Sequence, residues 1–489
     1  MTKKSAQQLE ELMFNREPAA EAGPGLPVSE RLEKQWNNEK LFWRELDGRE
    51  PTPEQVEQRL RAGRGRAQEL RKAIHNLIRE YAEELYQPAN IRQLELVRSS
   101  YDEEEMIAAI DVVLDDRMTM GPRVAAFEDE WSAFLPAPFS VMVNSGSSAN
   151  LMMLSALAFP GVERHLQPGD EVILPAVAWS TSLFPIAQVG CLPVLVDVNL
   201  DTLNIDPARV EAAITPRTRA IMAVHLLGNP CDVQALLDIA RRHHLWLIED
   251  CCESHGASVD GRQVGTFGDL SAFSFFFSHH MTSVEGGMVC GRDKALWRDL
   301  LISMRAHGWI RGRDDHDEWV RQCPDIDPRW LFVTTGYNLR PTEINAAFGQ
   351  VQLSKMPGFI QRRVATRQRV MELLRPYEEF FCFQQELPGH LHTAFGFSFL
   401  VRPNAPFSRA EFQAYLESCR IQTRPIVGSN LARQPVMKYV PHRIVGDLPN
   451  ADTIHFQGVM IANHHNVTVS QQDYLVESVD HFVRRRALV

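Results

Sequence analysis

Short apolar runs recur through the middle of this chain, at 141–143, 171–174, 192–198, 220–224 and 245–248. Each is separated from the next by a helix-length stretch or a turn, which predicts buried parallel strands with crossover helices on both faces. The run ending at Val143 passes through Asn-Ser-Gly-Ser-Ser-Ala-Asn into a helical segment, 151–158. Upstream, Leu70, Ile74, Leu77, Ile78, Tyr81 and Leu85 recur at three- and four-residue steps. That spacing predicts an amphipathic helix or helix pair within 52–86. Residues 1–30 are polar, with Pro and Gly near 21–27, and read as a tail. Beyond Leu353 a long basic helix (358–375) leads to strands near 396–401 and 421–426, with a helix at 408–418 between them. The expected organisation is an N-terminal extension over 1–95, a large α/β domain over 96–354 and a small α+β domain over 355–489.

Composition narrows the function classes. With 51 basic and 62 acidic residues the formal net charge is −11, which argues against nucleic acid or an anionic membrane as a partner. The first 25 residues carry charge but no apolar signal core, and no stretch approaches ~20 uncharged apolar residues. A soluble, cytoplasmic protein is expected. The eight cysteines form no CxxC pair, so free thiols are expected rather than a disulfide framework.

Three segments at predicted strand ends could carry chemistry, because ligands of open α/β sheets sit beyond the carboxyl ends of the strands. Ser147 and Ser148 lie in the small-residue turn before the first helix, where backbone N–H groups and the helix dipole favour a phosphate; a turn without a ligand reads the same way. Asp250 ends a buried strand, in Glu249-Asp250-Cys251-Cys252-Glu253-Ser254-His255. It needs a cation such as a protonated pyridine nitrogen, or else caps a helix or pairs with a base. His279 and His280 follow an aromatic run and precede Gly286-Gly287. Adjacent residues of a strand face opposite ways and no HxxxH or HExxH spacing is present, so no metal site is expected there.

Together these segments resemble the sugar aminotransferase and dehydratase branch of the fold-type-I B6 enzymes, the DegT/DnrJ/StrS family, from about Gly121 to the C-terminus. Further motifs come in the family's order: Trp179 in Pro-Ala-Val-Ala-Trp-Ser-Thr, Ser274, and Gly336-Tyr-Asn-Leu-Arg-Pro341. The resemblance implies a fold-type-I α/β large domain with a mostly parallel sheet and a smaller α+β domain. It implies that Ser147, Ser148 and Ser274 bind the phosphate of pyridoxal or pyridoxamine phosphate, and that Trp179 stacks on its ring. Asp250 would pair with the ring nitrogen and Glu253 would lie beside the ring hydroxyl. Asn338 would reach the cofactor of a neighbouring subunit, which implies a homodimer with shared sites.

One departure carries most of the information. The residue five after the phosphate-binding serine is, in the family's aminotransferases, the lysine that holds the cofactor covalently; here it is His279, and no lysine lies between Lys72 and Lys294. A histidine there resembles the family's sugar 3-dehydratases. One kind carries a [2Fe–2S] cluster and the other has none and uses glutamate. Cys252 fits the first cluster position, but residues 305–321 contain no cysteine and Cys323 stands alone, so four thiolates are lacking. The segment Arg305-Ala-His307-Gly-Trp309-Ile-Arg311 resembles the second kind, whereas the N-terminal helix resembles the first. The resemblance thus implies C3 deoxygenation of a nucleotide-linked 4-keto-6-deoxy sugar with L-glutamate as amino donor. His279 and Asp250 are its expected catalytic residues, His307 and Arg311 candidates for handling glutamate, and Arg424 a candidate contact for substrate phosphate or hydroxyl. An aminotransferase with a histidine base and a non-catalytic B6-binding assembly protein are the other readings. Retention of Asp250, Trp179 and Ser274 favours an enzyme.

Overall fold

The computed structural model describes residues 53–85 and 89–487. Contacts divide the chain into two compact units after Glu84. In the first, the expected helix or helix pair is one helix of 33 residues, Pro53–Leu85.

The second unit is built on three sheets, of eight, four and three strands. Along the chain come β1 (Phe139–Val143), β2 (Glu171–Pro175), β3 (Leu192–Val196), β4 (Thr218–Val224) and β5 (Trp246–Asp250). Two short strands, β6 (Ser258–Val259) and β7 (Arg262–Gln263), precede β8 (Leu270–Ser274) and β9 (Gly287–Gly291). The remaining strands are β10 (Phe381–Cys382), β11 (His390–Leu391), β12 (Gly396–Val401), β13 (Thr423–Arg424), β14 (Arg443–Ile444) and β15 (Gly458–Ala462). The large sheet has the order β1-β9-β8-β5-β4-β2-β3-β14. Only β9 runs against the others, pairing antiparallel with both β8 and β1. The sheet is therefore mostly parallel.

The apolar runs become strands because both of their faces are covered. Val172 and Leu174 of β2 pack with the helices Gly146–Leu157 and Ser180–Gln188, while Ile173 between them packs with the helix Val233–Arg242. That alternation is the period-two geometry of a strand buried on both sides. A third apolar layer sets the helices Pro122–Phe134 and Glu343–Leu374 against Met142, Phe273 and Met288.

The smaller sheet has the order β10-β12-β15-β13 and is covered by an aromatic core around Phe381, Phe399, Phe412 and Phe482. Leu94 belongs to this core and bridges to Ile421, so residues 89–95 pack with the C-terminal layer. The helix Glu343–Leu374 runs unbroken past residue 354, its first half in the third layer and its last turns in the aromatic core. β14 returns to the large sheet beside β3. Among the described residues no helix is long and apolar enough to cross a membrane.

Candidate active site

Parallel strands release their chains at one edge, and the next helices begin there. Ser145 caps the helix Gly146–Leu157, its Oγ accepting from the Ser148 amide at 3.1 Å and donating to Ser148 Oγ at 3.0 Å. Ser147 Oγ donates to Thr181 Oγ1 across the gap to the next helix, at 3.0 Å. A Cβ on Gly146 would stand 2.4 Å from Ser274 Cβ and 3.0 Å from Cys252 Sγ. Only glycine allows the helix start, the end of β8 and the turn after β5 to converge this closely. Gly287 serves the same convergence, since a Cβ there would lie 2.3 Å from the Ser145 carbonyl oxygen. Ser147, Ser148 and Ser274 are thus gathered around one helix N-terminus, the setting that suits a phosphate.

Asp250 closes β5 and is 5% exposed. Its Oδ2 accepts from Asn150 Nδ2 at 2.8 Å and Ser182 Oγ at 2.7 Å, and its Oδ1 accepts from the Cys252 amide at 3.1 Å. Three neutral donors aim the carboxylate, yet no cationic side chain pairs with it among the described residues. A buried carboxylate held this way is a receptor for a charged N–H donor such as a protonated pyridine, so the residues present fit the cofactor. Trp179 sits at the N-cap of the helix that supplies Thr181 and Ser182, its ring 57% exposed at the same mouth.

Behind this carboxylate is a rigid brace. His225 Nδ1 accepts from the Cys231 amide at 3.0 Å and its Nε2 faces Glu249 Oε2 at 3.1 Å, while its own amide donates to the Asp250 carbonyl at 3.2 Å. Glu249 also accepts from the amides of Gly265, Phe267 and Gly268. His225, Glu249 and Cys251 bring possible ligand atoms within 4.8 Å of one another, but both ring nitrogens of His225 are already engaged.

Glu253 lies one turn further on, accepting from the Leu227 amide at 2.9 Å. Burial pushes its carboxyl up to about 7, the Leu227 hydrogen bond opposes that rise, and the Asp250 charge adds to it. At that value it can hold or release a proton near neutrality.

His279 projects from the loop after β8. Its ring packs on Phe395 (centroids 5.1 Å) and near Phe276 (6.2 Å) and His255 (6.3 Å). Its Nδ1 is enclosed and has no hydrogen-bond partner. Burial pulls its pKa down to about 4, aided by the Arg363 charge and opposed by a backbone hydrogen bond to Cys252 and by the Asp250 charge. At neutral pH the ring is an unprotonated base within the field of the Asp250 charge.

The other expected residues stand apart. His307 adopts φ +64, donates its amide to the Tyr337 carbonyl at 2.7 Å and sets its ring edge-on to Trp309 at 4.7 Å. Arg311 lies over that indole, at 4.5 Å, and donates to the Arg329 carbonyl at 3.3 Å. Asn338 is exposed, and its Oδ1 accepts from Arg340 Nε at 2.9 Å; the next residue's carbonyl, Leu339, takes the Asn144 amide at 3.0 Å. Arg424 is exposed on β13 and donates to the Thr423 carbonyl at 2.8 Å. Sequence reasoning assigned no role to Asn150 and Ser182, although each is a polar residue on an otherwise apolar helix face. Arg363 was also missed, since nothing local distinguishes it within a basic helix.

Fold and site together define a class, the fold-type-I B6 architecture. The chain belongs to the DegT/DnrJ/EryC1/StrS aminotransferase family, whose sequence model matches residues 99–480. It is 39% identical over 381 residues to the GDP-4-keto-6-deoxy-D-mannose 3-dehydratase of Yersinia pseudotuberculosis, covering 77% of this chain and 95% of that protein. It is 36% identical over 423 residues to the dTDP-4-dehydro-2,6-dideoxy-D-glucose 3-dehydratase of Saccharopolyspora spinosa, covering 83% and 91%. A solved GDP-4-keto-6-deoxymannose-3-dehydratase with a trapped PLP-glutamate geminal diamine superimposes with a TM-score of 0.72 at 34% identity, over 79% of this chain and all of that one.

Proposed function

We propose that this protein is a B6- and glutamate-dependent 3-dehydratase that removes the C3 hydroxyl of a nucleotide-linked 4-keto-6-deoxy sugar. The observation that carries this reading is His279, a half-buried, unprotonated base within the field of the Asp250 charge, where a transaminase needs a lysine. Support for the substrate and for glutamate comes from the similar dehydratases, two of which bear those sugars in their names and one of which was trapped with PLP and glutamate.

Ser147, Ser148, Ser274 and Asn338 hold the cofactor phosphate, Trp179 covers the ring, and Glu253 meets its hydroxyl. Asp250 holds the proton on the ring nitrogen. When bound, pyridoxamine phosphate supplies an amine for the C4 ketone and a ring that takes up electron density. His279 accepts a proton as neutral imidazole and returns it to the departing C3 oxygen, which leaves as water. The ring that takes the proton is the one placed to return it, so one residue serves both transfers. His307 and Arg311 orient glutamate, the planar guanidinium matching a carboxylate, and Arg424 contacts the sugar nucleotide. The balance is keto-sugar plus glutamate giving deoxy-keto-sugar, 2-oxoglutarate and ammonia. Two subunits complete each site through Asn338.

The test is a product assay with pyridoxal phosphate, L-glutamate and a panel of nucleotide-4-keto-6-deoxy sugars, read by mass spectrometry. Loss of one oxygen with release of 2-oxoglutarate and ammonia is expected, with no reductase added. A product that retains nitrogen would make the protein an aminotransferase instead.

A further inference from the structure

The loop that carries His279 is fastened by a buried cation. Arg363, on the helix Glu343–Leu374, is 1% exposed and donates to four main-chain carbonyls. Its Nη2 reaches His279 at 3.2 Å; its Nη1 reaches Phe395 at 3.1 Å, Asn463 at 3.1 Å and Ala394 at 3.4 Å. No carboxylate pairs with it among the described residues. Burial alone brings its own pKa down to about 9.

A charge held without a counter-ion is costly, and a neutral side chain can tie the same backbone. Asn463 already does so: its Nδ2 donates to the Arg363 carbonyl at 3.0 Å and to the Ala394 carbonyl at 2.9 Å. The charge itself therefore calls for a role. The groups facing His279 are few. Asp250 and the Cys252 backbone favour a proton on its ring; Arg363 opposes one. His255 is fully buried with neither ring nitrogen hydrogen-bonded, and His280 directs Nε2 to the Thr393 carbonyl at 3.2 Å, leaving Nδ1 without a partner. Both lie well below the usual histidine range, through burial first and then through Arg363 and the neighbouring histidines. Phe276 and Phe395 pack near the His279 ring.

We infer that Arg363 is a positioning residue for His279: it fastens the His279 carbonyl to those of Ala394 and Phe395, whose ring packs on the imidazole, and it brings a guanidinium with no carboxylate partner to the His279 loop. This deepens the proposed dehydration, since the base must be free when substrate arrives and must release its proton to the leaving hydroxyl. A purely structural arginine would lower activity equally at every pH. A charge acting on His279 moves its titration.

The test uses the full-length, cofactor-loaded protein labelled with ¹⁵N-histidine, with the His279 ring signals assigned by their loss in His279→Asn. Wild type, Arg363→Gln and Arg363→Lys are titrated from pH 4 to 8, and kcat is followed over the same range. Wild-type His279 titrates well below ~6.5, the ordinary value. Arg363→Gln raises the midpoint toward the ordinary value and carries the acid limb of kcat with it. Arg363→Lys, which keeps the charge, stays near wild type. The inference is overturned if wild-type His279 titrates at or above ~6.5, a measurement that needs no variant to fold. It is equally overturned if Arg363→Gln leaves the midpoint in place, or if Arg363→Lys moves it as far as Arg363→Gln does. The ring signals report on Arg363 without any turnover, so a protein that shows the shift yet forms no deoxy sugar would overturn the proposed function alone.

Discussion

Replacing Asp250 with Asn isolates the charge at the end of β5 while preserving size. The carboxylate takes two donors on Oδ2, from Asn150 and Ser182, and one on Oδ1, from the Cys252 amide. An amide can keep the first two only by turning its own NH2 toward the Cys252 N–H. One buried donor then loses its acceptor, at a cost of about 1–3 kcal/mol. The opposite rotamer strands two donors and is worse. The fold should therefore survive, with a melting temperature lower by about 2–8 °C for that cost in a domain of this class. The functional loss should be larger. Removing one partner of a buried, charge-assisted pair costs about 3–5 kcal/mol, which corresponds to a fall in turnover of roughly 10²–10³-fold or more. Steady-state release of 2-oxoglutarate, measured beside a thermal melt, separates the two effects. Turnover within about threefold of wild type, in a variant that melts as described, would refute the assignment of Asp250 to the ring nitrogen.

Gly146→Ala forces a methyl group to 2.4 Å from Ser274 Cβ and should weaken cofactor binding about tenfold or more, through an overpacking cost of about 1–3 kcal/mol. Gly358→Ala, where nothing lies within 4 Å, should leave affinity unchanged and stabilise its helix by about 1 kcal/mol; an absorbance titration and a melt of each variant check the pair. Arg311→Ala should raise the KM for glutamate about tenfold and leave the KM for the sugar alone, and equal changes in both would remove Arg311 from glutamate handling. Stability should decline on acidification below pH ~6.5. Burial holds His279 and His464 down to about 4 and His465 to about 2, so the unfolded chain binds protons that the native state refuses. That stability is complete above the unfolded value and is lost as pH falls toward the folded ones, at about 1.4 kcal/mol per unit for each such ring. Urea unfolding at pH 7.5 and pH 5 that gives the same midpoint would contradict it.

Much of this molecule is local information. The uninterrupted apolar runs specified strands buried on both faces, because a sheet covered by helices leaves no polar side to encode. The glycine and serines after Val143, the acid after Ile248 and the histidine five residues past Ser274 marked the site, because each needs its residue type at a strand end. The missing cysteines after Arg305 likewise bore on the iron–sulfur question by count alone. Other properties depend on groups distant in sequence. That Leu94 packs with the C-terminal layer, and that β14 returns to β3, result from long-range pairings that no window of sequence contains. Asn150 and Ser182 converge on Asp250 from 100 and 68 positions away, and Arg363 reaches the His279 carbonyl across 84. The histidine at position 279 was legible in the chain. Its neutrality was decided by the tertiary structure, since desolvation and an unpaired charge exist only once the helix Glu343–Leu374 has packed against the loop after β8.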